Sequence, residues 1–225
     1  MPTATAGYFT LNGTKIPSVT AITGRYKESG GLLWWAFGEG KRAMTENEPG
    51  RGLYDSKPAA DIGTLAHAML QSWIHGNLGM VARPDLMSAE DYAKAEAAFQ
   101  SYLTWERQSK LRVLQTEIPL VSEKHRYGGT LDAIGEIDGE ICLPDWKTSN
   151  ALYTDGLLQV AGYGELWNET HPDQPLTGGY HLIRFSKDFG DFDHKYFGDL
   201  KDALELFLLY RRAYDLDKAL KRRAA

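Results

Sequence analysis

Asp132, Asp145 and Lys147 are the residues of this chain whose types and spacing most suggest chemistry. An Asp138-Gly139 pair separates two β-rich runs, Tyr127 to Ile137 and Glu140 to Thr148. Such a pair is a strong hairpin signal, because the favoured two-residue loop needs positive φ at both positions. With Asp138 and Gly139 as the loop, Ile137 faces Glu140 and, further along, Asp132 faces Asp145. Their Cβ atoms are then expected about 4.5–5.5 Å apart. Like charges so placed destabilise a strand pair unless a cation lies between them. Lys147 is two residues beyond Asp145 and shares its face. Two acids and a lysine at one spot make a metal site with a cationic assistant. Carboxylates, carbonyls and waters suit Mg²⁺ or Mn²⁺. Pro144 complicates this register: it lacks a ladder donor and can mark a bulge, and a one-residue slip would turn Asp145 to the opposite face.

Four short motifs occur in order along the chain: Gly63-Thr-Leu-Ala-His67, Gly129-Thr-Leu-Asp132, Asp145-Trp-Lys-Thr148 and Gln159-Val-Ala-Gly-Tyr163. Together they resemble the PD-(D/E)xK nuclease superfamily, in particular its RecB-like exonuclease branch of stand-alone phage or mitochondrial enzymes. An acid-x-Lys triplet alone recurs by chance, whereas four elements in order around a hairpin are fairly specific. The resemblance covers about residues 60 to 165. It implies an α/β fold with a restriction-endonuclease-like core: a central mixed β-sheet flanked by helices in αβββαβ order. It further implies Mg²⁺- or Mn²⁺-dependent hydrolysis of DNA phosphodiesters, favouring exonuclease attack at ends that leaves 5′-phosphates.

The same resemblance assigns roles. Asp132, Asp145, Lys147, Gln159, Tyr163 and Glu117 are the catalytic set. His67, Asp132, Asp145 and the backbone carbonyl of Trp146 are the metal ligands. Lys147 would orient the attacking water and stabilise charge growing on the scissile phosphate. Glu117 lies on the strand before the hairpin, where related nucleases often carry a glutamate near the metal. Gln159 and Tyr163 share a helix face and would contact substrate or the lysine. Gly63 and His67 share another, and the glycine would let that helix approach the sheet closely. Each residue also has a plainer reading: solvated hairpin acids, an edge-strand lysine, an exposed strand glutamate, an ordinary helix histidine, helix packing residues.

The 225 residues are 43% hydrophobic and 12% aromatic, enough for one large domain spanning residues 1–225. Its core is expected at about residues 61–200, after an N-terminal extension over residues 1–60. No apolar run is long enough for a membrane span, and the start lacks a secretory signal. The single cysteine, Cys142, excludes an intrachain disulfide and fits a reducing compartment, so a cytoplasmic location in a bacterial or phage-infected cell is expected. It also leaves this chain unable to hold a four-cysteine iron–sulfur cluster. Gly38-Glu-Gly40-Lys41 mimics a phosphate loop but lacks its Ser/Thr and its preceding strand, so no ATP binding is expected.

A net charge of −5 is not the footprint of a general nucleic-acid binder. Lys218, Lys221, Arg222 and Arg223, preceded by Arg211 and Arg212, nevertheless make a basic C-terminal end. It reads as a solvated helix terminus or as a phosphate-contacting arm. The expected partner is DNA, with a recombination partner protein or a homo-oligomer also open. Two alternatives keep the fold without the solitary activity: a catalytically silent DNA-binding module, and a subunit of a recombination or repair complex. The sign of the latter would be an exposed apolar patch around residues 31–37.

The elements that must position these residues follow from pattern. A small hairpin turns at Asn12-Gly13, and Ser18 starts a short helix. Residues 31–45 read as a buried helix rich in Trp and Leu, and 46–60 as a loop. Asp61 can cap a helix over 62–75, and Ser88-Ala-Glu-Asp91 opens another to about 110. Strands are expected at 112–122, 126–137 and 140–147, a helix at 155–169, strands near 178–186 and 192–197, and a last helix over 199–221. Trp146 is expected in the core, on the face away from the acids.

Overall fold

A computed structural model describes residues 7–26, 30–45, 57–77, 81–149, 151–187 and 190–224. Strands β1 (Tyr8–Phe9) and β2 (Lys15–Ile16) form the expected small hairpin. Helix α1 (Val19–Arg25) follows; the Ser18 hydroxyl accepts the Ala21 N–H at 3.0 Å. Then come α2 (Gly30–Thr45), α3 (Lys57–Ile74) and α4 (Ala89–Gln108), the last opened by Ser88, whose hydroxyl accepts the Asp91 N–H at 3.0 Å. The capping removes an orphan donor at each of these two helix starts.

Three strands connected by short turns come next: β3 (Arg112–Ser122), β4 (Tyr127–Ile137) and β5 (Glu140–Lys147). Helix α5 (Thr154–Thr170) leads to β6 (Tyr180–Phe185), β7 (Phe192–Phe197) and α6 (Lys201–Ala224). The five long strands make one sheet in the order β3-β4-β5-β6-β7. All neighbours are antiparallel except β5 and β6, which are parallel. That pair is joined through α5, as a parallel pair requires a crossover. The result is a mixed α/β arrangement, a five-stranded mixed sheet flanked by helices.

Two apolar cores lie on opposite faces of the sheet. One joins α3 and α4 to Ala133, Cys142, Trp146, Ile183 and Phe185. The other joins α1, α5 and α6 to Tyr127, Leu131, Ile134, Leu143 and Leu182. Among the described residues, no helix is long and apolar enough to cross a membrane.

Three local expectations need correction. Helix α3 begins at Lys57, so Asp61 lies inside it and caps nothing, and 57–60 are helical rather than loop; residues 46–56 lie outside the described part. Helix α2 forms, but it is not a buried helix: Trp34, Phe37 and Met44 are 76, 66 and 79% exposed. The side chains of Leu32, Leu33 and Trp35 lie outside the described set. The third correction concerns the β4–β5 ladder.

Candidate active site

The Asp138-Gly139 turn has φ of 51° and 86°, positive at both positions as the loop type demands. Ile137, Glu136 and Gly135 pair with Glu140, Ile141 and Cys142, the expected register. There the ladder ends. From Leu143 onward β5 pairs only with β6, on its other edge, and the Leu143 N–H goes to the Gly179 carbonyl at 3.0 Å. Pro144 has no N–H with which to resume a ladder toward β4. The strands part, and the Asp132 carboxylate enters the opening: its Oδ2 accepts the Trp146 N–H at 2.9 Å. Asp132 and Asp145 therefore do not form the facing ladder pair that the hairpin arithmetic predicts. Alternation also slips at this point of β4. Leu131 and Ile134 enter the α5-side core while Ala133 enters the α3-side core.

On the α5 side of the opening, Asp145 and Lys147 follow Leu143 in strict alternation. Asp145 is fully buried. The Lys147 ammonium stands 2.7 Å from its Oδ2, and among the described residues no other donor reaches either carboxylate oxygen. Burial pushes the Asp145 carboxyl up to about 6; Lys147 opposes this and Asp132 adds to it. Burial alone would lower the Lys147 ammonium, but Asp145 and then Asp132 outweigh that, so it is held above its ordinary value. Lys147 donates to Gln159 Oε1 at 3.0 Å, and Gln159 Nε2 donates to the Tyr163 hydroxyl at 2.9 Å. One turn of α5 thus holds the lysine by a directed chain. Burial also raises the Tyr163 phenol.

Glycines make this approach possible. A Cβ on Gly129 would lie 2.6 Å from Tyr163 Cε1, and one on Gly128 would meet the Tyr8 ring. Tyr8 in turn reaches the Thr130 hydroxyl at 2.8 Å. Sequence reading missed Tyr8. The Gly128-Gly129 pair was the available signal, since two adjacent strand glycines mark close approaches by other groups.

On the α3 side, ligand atoms of His67, Glu117 and Asp132 all lie within 4.8 Å of one another. His67 Nδ1 is 4.0 Å from Asp132 Oδ1. Helix α3 comes this close to the sheet at Gly63, where a Cβ would lie 2.9 Å from the Thr148 hydroxyl. Glu117 sits between the pairs Thr116–Ala133 and Ile118–Leu131, hence opposite Asp132 across β3 and β4. Its φ is 50°, a left-handed conformation that costs a non-glycine residue about 1–3 kcal/mol. Although the side chain as a whole is exposed, partial burial of the carboxyl raises its pKa, with Asp132 adding and His67 opposing.

The opening between β4 and β5 therefore has two lips. His67, Glu117 and Asp132 form one; Asp145, Lys147, Gln159 and Tyr163 form the other. Asp145 lies outside the mutual 4.8 Å group but feels the charges of both Asp132 and His67. Trp146, 3% exposed, packs into the α3-side core, and its N–H holds Asp132. The carboxylates of Glu117 and Asp132 with the His67 imidazole, and the Asp145 carboxylate beside them, are donor types that fit a hard divalent cation. A second acid–histidine group, His125, Glu165 and Glu169, is closed by its own partners: Lys124 and His125 at Glu165, and Ser122 and the Lys124 N–H at Glu169.

No family model and no curated protein matches this chain. Among solved structures, it is similar to a protein from Eubacterium rectale named as a candidate exonuclease, with a TM-score of 0.45 and 14% identity. The similarity covers 66% of this chain and 64% of that one.

Proposed function

We propose that this chain is a divalent-metal-dependent DNA nuclease of the RecB-like PD-(D/E)xK type, acting on DNA ends. The observation that carries the reading is Asp145: a fully buried carboxylate whose one partner among the described residues is the Lys147 ammonium, itself held by Gln159. A buried charge left in that state is costly unless a ligand completes its surroundings. Asp132, Asp145, Glu117, His67 and the Trp146 carbonyl would hold Mg²⁺ or Mn²⁺. When bound, the cation would supply Lewis-acid stabilisation of charge on the phosphate and ease deprotonation of the attacking water.

The remaining work falls to the chain's own groups. Lys147 Nζ presents a fixed positive charge to the scissile phosphate, where negative charge grows during attack. Gln159 fixes the direction of that ammonium, and Tyr163 fixes Gln159. Asp132 holds the Trp146 N–H and so keeps the strands apart, leaving room for the reacting phosphodiester. Hydrolysis in this site would leave 5′-phosphate ends.

The test is digestion of 5′- and 3′-labelled linear DNA, single- and double-stranded, beside closed circles, with Mg²⁺, Mn²⁺ or chelator. Release of nucleotides from linear DNA, abolished by chelator, is the expected result. Equal cutting of closed circles would replace end attack with internal attack. A folded protein silent on every substrate with either cation would overturn the activity. That result would favour a second reading, a subunit of a larger DNA-processing assembly, which the exposed Trp34 and Phe37 of α2 support.

A further inference from the structure

Helix α6 packs with Phe207 and Arg211 buried and Leu204, Leu208 and Tyr214 half-buried toward α1 and α5. Its opposite face carries Leu206, Leu209, Leu216 and Leu220, which are 37, 60, 49 and 62% exposed. With Ala213 between them, these residues recur at alternating spacings of three and four. That is the seam spacing by which one helix packs along another. Asp202 lies on the same seam one turn before Leu206, and Arg223 one turn after Leu220. The stripe therefore reads Asp, Leu, Leu, Ala, Leu, Leu, Arg: nearly the same from either end, except for the sign of the charge.

A stripe of that form is complementary to itself when reversed. We propose that this face binds a second copy of the chain, α6 against α6, antiparallel about a two-fold axis near Ala213. In that arrangement Leu206 meets Leu220 of the partner subunit, and Leu209 meets Leu216 of the partner subunit. Alanine at the centre lets the backbones approach. Asp202 meets Arg223 of the partner subunit, and Glu205 faces the basic end formed by Lys218, Lys221 and Arg222. A parallel pairing would instead set the two basic ends side by side. The contact is isologous, as a closed dimer requires. It does not rest on the nuclease reading.

Sedimentation velocity over a series of protein concentrations tests the proposal. The chain is expected to pass reversibly from monomer to dimer. The double variant L209E/L216E is expected to stay monomeric at every concentration, with unchanged far-UV circular dichroism, because both leucines point away from the core. D202R alone is expected to weaken the dimer about tenfold, and D202R/R223D to restore it to within about threefold. Positions 202 and 223 lie about 31 Å apart along the helix, so they cannot compensate each other within one chain. Both changes also oppose the helix dipole, so an effect confined to one chain would be worse in the double variant. A monomer at all concentrations, or a dimer unaffected by L209E/L216E, overturns the proposal. Additive loss in D202R/R223D overturns the antiparallel arrangement.

Discussion

Asp145 on β5 pairs with Leu182 on β6, and the preceding pair is Pro144 with His181. Asp145 and His181 are thus close in the sheet and both buried, at 0 and 3% exposure. Their surroundings are opposite. The Gly178 carbonyl accepts from His181 Nε2 at 3.2 Å, which leaves His181 Nδ1 to accept from His194 Nε2 at 2.8 Å. His194 Nδ1 then accepts the indole N–H of Trp105 at 3.2 Å. Every nitrogen in that chain has a partner and a direction. Asp145, by contrast, has the Lys147 ammonium at one oxygen and no other donor among the described residues. A closed network of this kind fixes a structure. A buried ion pair with no further donor is less fully compensated, which is why the proposed site is placed at the aspartate end and not at the histidine end.

The largest test of this contrast is at the aspartate end. D145A and K147A are each expected to lower DNA cleavage by on the order of 10³-fold while leaving circular dichroism intact. Near-normal cleavage by either variant would erase the distinction between the two ends. Divalent cation should also raise the melting temperature of the parent protein and not of D145A, by mass action on the native state.

At the closed end the expected effect is on stability. Burial, then His194, lowers His181 to about 4, below its ordinary 6.5. The native state therefore prefers the neutral ring. Its contribution is complete above pH 6.5 and is lost as pH falls toward 4, amounting to about 3 kcal/mol at most. Ring shifts of His181 in a histidine NMR titration should stay those of the neutral form down to about pH 4, and urea unfolding should weaken over the same window. A midpoint near 6.5 for His181 would show the network to be open to solvent.

The smallest effect sharpens the boundary between packing and chemistry. G129A puts a methyl against Tyr163 and is expected to cost about 1–3 kcal/mol of stability. If Tyr163 steadies Gln159 and through it Lys147, the same variant should lose cleavage about tenfold with little change in substrate affinity. Loss of affinity alone would place Tyr163 at the substrate rather than behind the lysine.

Much of the order of elements was legible in the chain. The hairpin turn, the two serine caps and the five strands of the large sheet follow from local chemistry: loop residues that tolerate positive φ, hydroxyls that accept helix N–H groups, β-branched runs. Asp61 misled, because a capping residue type is also tolerated on an exposed helix surface. Helix α2 misled for a related reason: apolar content says that a helix has surface to bury, not that a neighbour buries it. The His181–His194–Trp105 chain had no sequence signal, since its members are far apart along the chain and none forms a motif.

The amino-acid order by itself determined which residues could gather here: Gly63 and His67 on one helical face, Gln159 and Tyr163 on another, Asp145 and Lys147 on one side of a strand. Those placements depend only on the repeat of a helix or strand. The relation of Asp132 to Asp145 was decided elsewhere. Pro144 withholds a donor on the edge that faces β4, the strands separate there, and a carboxylate takes the place of a backbone carbonyl at Trp146. Local periodicity says where a side chain points; only the assembled sheet, with a proline on one edge and a carboxylate reaching into it, says where a ladder stops.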